Sequence, residues 1–178
     1  DNPGLETDQR SWQKIVSAYS APETWRSNWQ VINTLVPYLA LWVLMLWSLQ
    51  VSYWLTLALA VPAAGFLVRT FILFHDCCHG SFYRSKKANE TLGSILGVLV
   101  FTPFYRWRHD HAIHHATAGN LDKRGVGDVA TWTVQEYLAA PWWKRLGYRI
   151  MRDPFFLFTL GSTFVFVVVQ RFASPRSG

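Results

Sequence analysis

Residues 27–68 read SNWQVINTLVPYLALWVLMLWSLQVSYWLTLALAVPAAGFLV and contain no charged side chain. One membrane crossing takes about 20 predominantly apolar residues, so this run is long enough for two. Its only interruption, Gln50-Val51-Ser52, is short and uncharged. A first helix is therefore expected from Val31 to about Leu49, and a second from Tyr53 to about Phe74 that returns to the starting side. Pro37, Pro62 and Gly65 fall inside these helices, where a membrane environment tolerates them and where Pro62 and Gly65 suit a kink. Trp47, Tyr53 and Trp54 gather at the connection, the level at which an aromatic belt sits.

The rest of the composition agrees. The chain has 178 residues, 51% hydrophobic and 16% aromatic, with ten tryptophans, too apolar and too aromatic for an ordinary soluble domain. A net charge of +6 by itself suits nucleic acid. The cations, however, flank apolar runs (Arg84, Lys86, Lys87, Arg106, Arg108), which fits anionic headgroups on a cytoplasmic face and excludes nucleic acid as a partner. Cys77 and Cys78 are adjacent with no third cysteine to pair with, so reduced thiols packed as small apolar residues are expected. Residues 1–28 are polar and lack the basic start and apolar core of a secretory signal; they read as a segment on the membrane surface. The absent initiator Met and the stop soon after an apolar helix read as a piece of a longer protein.

Further along, Leu92 to Phe104 is apolar but short for a crossing, and suits an interfacial or re-entrant helix. A crossing there would place the chain's two histidine clusters on opposite faces. Residues 116–131, rich in Gly and Asp, read as a loop. Thr133-Val134-Gln135-Glu136 has the spacing of a capping box, and Pro141 suits the first turn of a following helix. From Pro141 to Arg152, Trp142, Trp143, Leu146 and Ile150 alternate with Lys144, Arg145 and Arg149 as in a helix lying in the headgroup layer. Pro154 to Gln170 reads as a third crossing. The expected fold is all-α integral membrane. Its parts are an interfacial segment (1–28), a transmembrane helical hairpin (29–74), a cytoplasmic helical cap carrying both histidine clusters (75–153) and a third transmembrane helix (154–172).

All six histidines fall in His75-Asp76-Cys77-Cys78-His79 and His109-Asp110-His111-Ala112-Ile113-His114-His115. Residues three or four apart share a helix face, so His75 and His79 point one way, as do His111, His114 and His115. Neutral imidazole ligates iron, zinc, copper and nickel. Five aligned imidazoles exceed what one zinc ion needs, which favours two metals. The Glu-x-x-His pairs of soluble di-iron bundles are absent, and Asp76 stands where a zinc protease needs glutamate. His109 lies two residues from His111 and faces away from it. It reads as a residue supporting the ligands or as a surface residue. Asp76 and Asp110 are placed to accept the outer N–H of a ligating imidazole, or simply to be solvated.

The sequence His-Asp-Cys-Cys-His-Gly followed by Trp-Arg-His-Asp-His-Ala-Ile-His-His resembles the histidine boxes of the integral-membrane fatty acid desaturases. It is most similar to the bacterial acyl-lipid type, and the resemblance covers most of the chain. The first box maps onto His75 and His79, the second onto His111, His114 and His115. The resemblance implies a site with two iron ions that uses O2 to remove two hydrogens from an acyl chain carried on lipid or CoA. It implies electrons supplied by a ferredoxin or a small b-type cytochrome, and a location in the bacterial cytoplasmic membrane with the site on the cytoplasmic face. A third His-x2-His-His box belongs to the pattern and is not in these residues, so the chain by itself is expected to be inactive. Two other readings stand: a related histidine-box hydroxylase acting on alkanes or carotenoids, and a membrane metal-binding or transport protein. The second needs ionisable residues within the crossings, where only Arg69 occurs. Arg69 is read as snorkelling to headgroups or pairing with a carboxylate near the site. Lys86, Lys87, Lys144 and Arg145 are read as headgroup anchors or as a dock for an acidic electron donor.

Overall fold

A computed structural model describes residues 12, 15–17, 19, 21–124 and 130–168, without the side chains of 165 and 166. Every regular element among them is helical. They fall into two compact units, divided between Leu96 and Gly97.

In the first unit, α1 (Thr24–Ser48) and α2 (Tyr53–His79) are the antiparallel hairpin that the uncharged run predicts. At about 1.5 Å per residue each is long enough to cross the roughly 30 Å hydrocarbon layer. Only 17% and 22% of their apolar windows are buried, which is not how the core helix of a soluble domain sits. Large side chains such as Trp42, Leu46, Val61, Val68 and Ile72 point outward. The buried positions are mostly small or hydroxylic: Ser27, Thr34, Ser48, Thr56, Ala63 and Thr70. The hydroxyls of Ser48 and Thr56 lie 2.7 Å apart across the pair. This is membrane-helix logic, in which close backbone approach and interhelical hydrogen bonds replace a hydrophobic drive. Pro37 and Pro62 both lie inside helices.

The first helix starts at Thr24, about two turns before the expected Val31, so the polar stretch 24–30 is helical. The reason is tertiary. Ser27 Oγ donates to the Phe82 carbonyl at 2.6 Å, and the Tyr83 hydroxyl donates to Asn28 Oδ1 at 2.7 Å. These polar residues thus have partners more than fifty positions away. Of the interfacial segment, residues 1–11, 13, 14, 18 and 20 lie outside the described residues.

α2 continues through the first histidine cluster and stops at Gly80, whose φ is +70°. The Gly80 and Ser81 amides bond back to the carbonyls of Cys77 and Asp76 at 3.0 and 3.1 Å, closing the helix in a Schellman turn. Replacing Gly80 with Ala would force a Cβ into the left-handed region, at a cost of about 1 kcal/mol. Thermal unfolding of the Gly80→Ala variant is expected to shift down accordingly, and an unchanged midpoint would refute this account of the helix end.

α3 runs over Lys86–Leu99, displaced from the expected Leu92–Phe104 and too short to cross. It ends in a second Schellman turn, Thr102 to Gly97 at 2.7 Å and Phe101 to Val98 at 3.3 Å. Here the left-handed position is occupied by Phe101 at φ +56°, an uncommon conformation for an aromatic residue. Pro103 then caps α4 (Phe104–Thr117), so the apolar run read as one helix is divided between two.

In the second unit, α4 is followed by a 3₁₀ turn (Leu121–Lys123), α5 (Val134–Ala139) and α6 (Trp142–Arg152). The predicted capping box is present. Glu136 Oε2 accepts from the Thr133 amide at 2.7 Å, and Thr133 Oγ1 accepts from the Glu136 amide at 3.2 Å. The Thr133 amide, and after it the Arg124 guanidinium, hold the Glu136 carboxyl below the usual range. A lowered folded pKa means that the box is intact at neutral pH and lost as pH falls through that value. Protection of the Thr133 amide from exchange is expected to be lost only as the pH drops below the ordinary glutamate range; loss of protection already near neutrality would contradict it.

Pro154–Phe156 (α7) opens a further apolar segment, N-capped by Asp153 Oδ1 on the Phe156 amide at 3.1 Å. It widens to a π-turn over Leu157–Gly161 and resumes as α8, Ser162–Val167. The end of the expected third crossing, from 169 on, lies outside the described residues.

Candidate metal centre

The two histidine clusters lie one in each unit. In the first, one turn of α2 separates His75 from His79 and their Nε2 atoms face each other at 3.2 Å. His75 is half-buried and His79 exposed. The other ring nitrogen of His75, Nδ1, sits 3.3 Å from Asp76 Oδ1. A proton held there by the carboxylate leaves the Nε2 lone pair directed toward His79, the tautomer that a ligand needs.

In the second cluster, α4 repeats the arrangement. His111 and His115 bring Nε2 atoms to 3.0 Å. His114 lies on the same side, its ring 6.0 Å from His111 and 5.8 Å from His115. Trp107 stacks on His111 at 4.2 Å with 20° between planes, fixing that ring from the turn before. His109 is exposed. Asp110 has Arg106 as its neighbour, at 3.9 Å one turn away.

These separations can be tested against a metal. An ion about 2.1 Å from each imidazole nitrogen requires neighbouring donors roughly 3.0 Å apart at a right angle and roughly 3.4 Å apart in a tetrahedron. Both pairs fall in this interval. A neutral, nitrogen-rich donor set also suits iron, zinc or copper far better than calcium or magnesium. The residues present fit a transition metal.

Sequence reasoning missed two supports. Asn89, on α3 and 2% exposed, is the knot that holds the turn after His79. Its Oδ1 accepts from the Tyr83 amide at 2.9 Å, and its Nδ2 lies 3.3, 2.7 and 3.1 Å from the carbonyls of Gly80, Tyr83 and Ser85. An Asn amid polar neighbours in a sequence gives no sign of this. Arg69 donates to Asn33 Oδ1 at 2.6 Å, a partner on α1 that neither expected reading named. Cys77 and Cys78 are buried and form no disulfide, as expected of small packing residues.

The geometry defines a class: a helical protein with two helices apolar enough to cross a membrane and imidazole pairs spaced for a transition metal. Residues 52–177, well over half of the chain, match the family model described as "Fatty acid desaturase". The chain belongs to the fatty acid desaturase family. It is 52% identical to a fatty acid desaturase of Bacillus subtilis over 164 residues, 92% of this chain and 47% of that protein. Over 91 residues, half of this chain and 25% of the relative, it is 35% identical to an sn-1 oleoyl-lipid 12-desaturase of Synechocystis. Over 78 residues, 43% of this chain and 21% of the relative, it is 36% identical to an sn-1 acyl-lipid omega-3 desaturase (ferredoxin) from the same organism. The chain thus spans about half the length of the first of these relatives and a quarter or less of the others. No solved structure matches it.

Proposed function

We propose that this chain forms part of an oxygen-dependent acyl-chain desaturase of lipid metabolism, with His75, His79, His111, His114 and His115 as ligands of two iron ions. The observation that carries the reading is the paired Nε2 geometry, 3.2 Å on α2 and 3.0 Å on α4, in a member of the desaturase family. Iron with O2 supplies an oxidant able to take hydrogen from an unactivated C–H bond, which no side-chain base can deprotonate.

The chain's own residues prepare for this. Asp76 holds the Nδ1 proton of His75 and so keeps Nε2 available. Trp107 holds the plane of His111. Asp110 and His109 are assigned supporting roles on α4, with Asp110 oriented by Arg106. The reading assigns both boxes to one centre, completed by donors beyond these five imidazoles. It also places the protein as a multi-pass protein of a bacterial cytoplasmic membrane, the boxes on the cytoplasmic side with Arg84, Lys86, Lys87, Arg106 and Arg108. There a ferredoxin or small b-type cytochrome has access, while the substrate, an acyl-lipid or acyl-CoA, arrives along the bilayer. The segment from Pro154 provides the third crossing.

The test is expression from the full reading frame in a host of known lipid composition, with mass spectrometry of its acyl chains and iron analysis of the purified protein. New double bonds with bound iron are expected. A hydroxylated product would transfer the protein to the oxygenase reading, and iron-free protein that changes no lipid would remove both.

A further inference from the structure

The second unit carries a surface that metal chemistry does not use. On α6, Trp142, Trp143, Leu146 and Ile150 fall within an arc of about 100°, and all four are exposed, Trp142 at 70% and Trp143 at 57%. Other residues of the same helix have partners within the chain. Tyr148 stacks on Trp132 at 4.7 Å, Arg149 Nε donates to the Tyr137 hydroxyl at 2.6 Å, and Arg152 Nη1 donates to the Ala130 carbonyl at 3.0 Å. The helix is therefore held through Tyr148, Arg149 and Arg152, and its apolar ridge is left exposed. Lys144, its ammonium 5.2 Å from the Trp143 ring, and Arg145 are the cations at the end where the two tryptophans lie.

We propose that α6 is a receptor surface for anionic phospholipid, with the Trp142–Trp143–Leu146–Ile150 ridge in the acyl boundary and Lys144 and Arg145 on lipid phosphate. Three observations favour lipid over an acidic protein. The ridge is apolar and requires an apolar partner, which an acidic docking face does not provide. Tryptophan pairs beside cations match the chemistry of the membrane–water interface. The ridge also continues along the chain into the segment from Pro154, where Phe155, Phe158, Leu160 and Phe164 are likewise exposed. The proposal does not depend on the metal assignment, so each can fail without the other.

The experiment uses protein from the full reading frame in phosphatidylcholine vesicles holding a minority of phosphatidylglycerol. A photoreactive benzoylphenylalanine replaces Leu146 or, as a second probe of the same face, Ile150; a third variant carries it at Tyr148. Mass spectrometry should find lipid adducts from the first two and crosslinks within the chain from the third. Phosphatidylglycerol should exceed its share of the bilayer by roughly fivefold, the effect of about one cation near the surface. Lys144→Gln combined with Arg145→Gln should return the adducts to bulk composition. Adducts to a second copy or to another protein, lipid adducts already at bulk composition, or no adduct from either face probe while Tyr148 crosslinks within the chain would each overturn the proposal.

Discussion

Replacing His111 with alanine in protein expressed from the full reading frame is expected to reduce bound iron and to lower double-bond formation by more than about 100-fold. Loss of a residue that merely supports a ligand costs about 10–100-fold in metal affinity or activity, and His111 is proposed as a ligand itself. Its Nε2 faces His115 at 3.0 Å and its ring carries Trp107. The companion variant is His109→Ala, in the same helix and exposed. As a supporting residue it should lose about 10-fold, well short of the His111 variant, and keep most of its iron. Iron by elemental analysis and products by mass spectrometry read both. Equal losses in the two variants would mean that the helix, not a ligand, was being tested. Full activity in His111→Ala would remove His111 from the ligand set.

Asn89→Ala is expected to lower stability by about 3 kcal/mol and to loosen the turn behind His79. Asn89 is buried and satisfies the Tyr83 amide as well as carbonyls of Gly80, Tyr83 and Ser85. Each buried group left without a partner costs about 1–3 kcal/mol, and truncation orphans several together. Asn89→Asp is a sharper probe. It keeps an acceptor for the Tyr83 amide but turns a carboxylate oxygen toward the carbonyls, so it should be no milder than alanine. Thermal unfolding gives the magnitude, and faster amide exchange at Tyr83 gives the place. A loss below about 0.5 kcal/mol, within the surface range, would show that water substitutes for the side chain and that the knot is not structural.

The two predictions differ in how far the sequence leads to them. The histidine ligand set follows from spacing alone, since residues one helical turn apart must share a face. The second prediction has no such origin. Asn89 reaches back six to nine positions across a turn, and nothing in a period of 3.6 residues marks that contact. The same contrast runs along the chain. The capping box at Thr133 and Glu136 is local chemistry and was readable. The early start of α1 depends on Ser27 and Asn28 meeting Phe82 and Tyr83 and was not. The end of α3 was also hidden, because Phe101 takes a left-handed conformation that sequence statistics reserve for glycine.

By itself, then, the sequence determined the hairpin, the helical setting of both histidine clusters and the chemical character of their donors. Each of these rests on periodicity or composition, which act over a few neighbouring residues. The tertiary structure alone decided where α1 begins, which partner Arg69 takes, and which side of α6 is left facing outward. Those features depend on hydrogen bonds and packing between residues distant in the chain, whose partners a one-dimensional pattern does not specify.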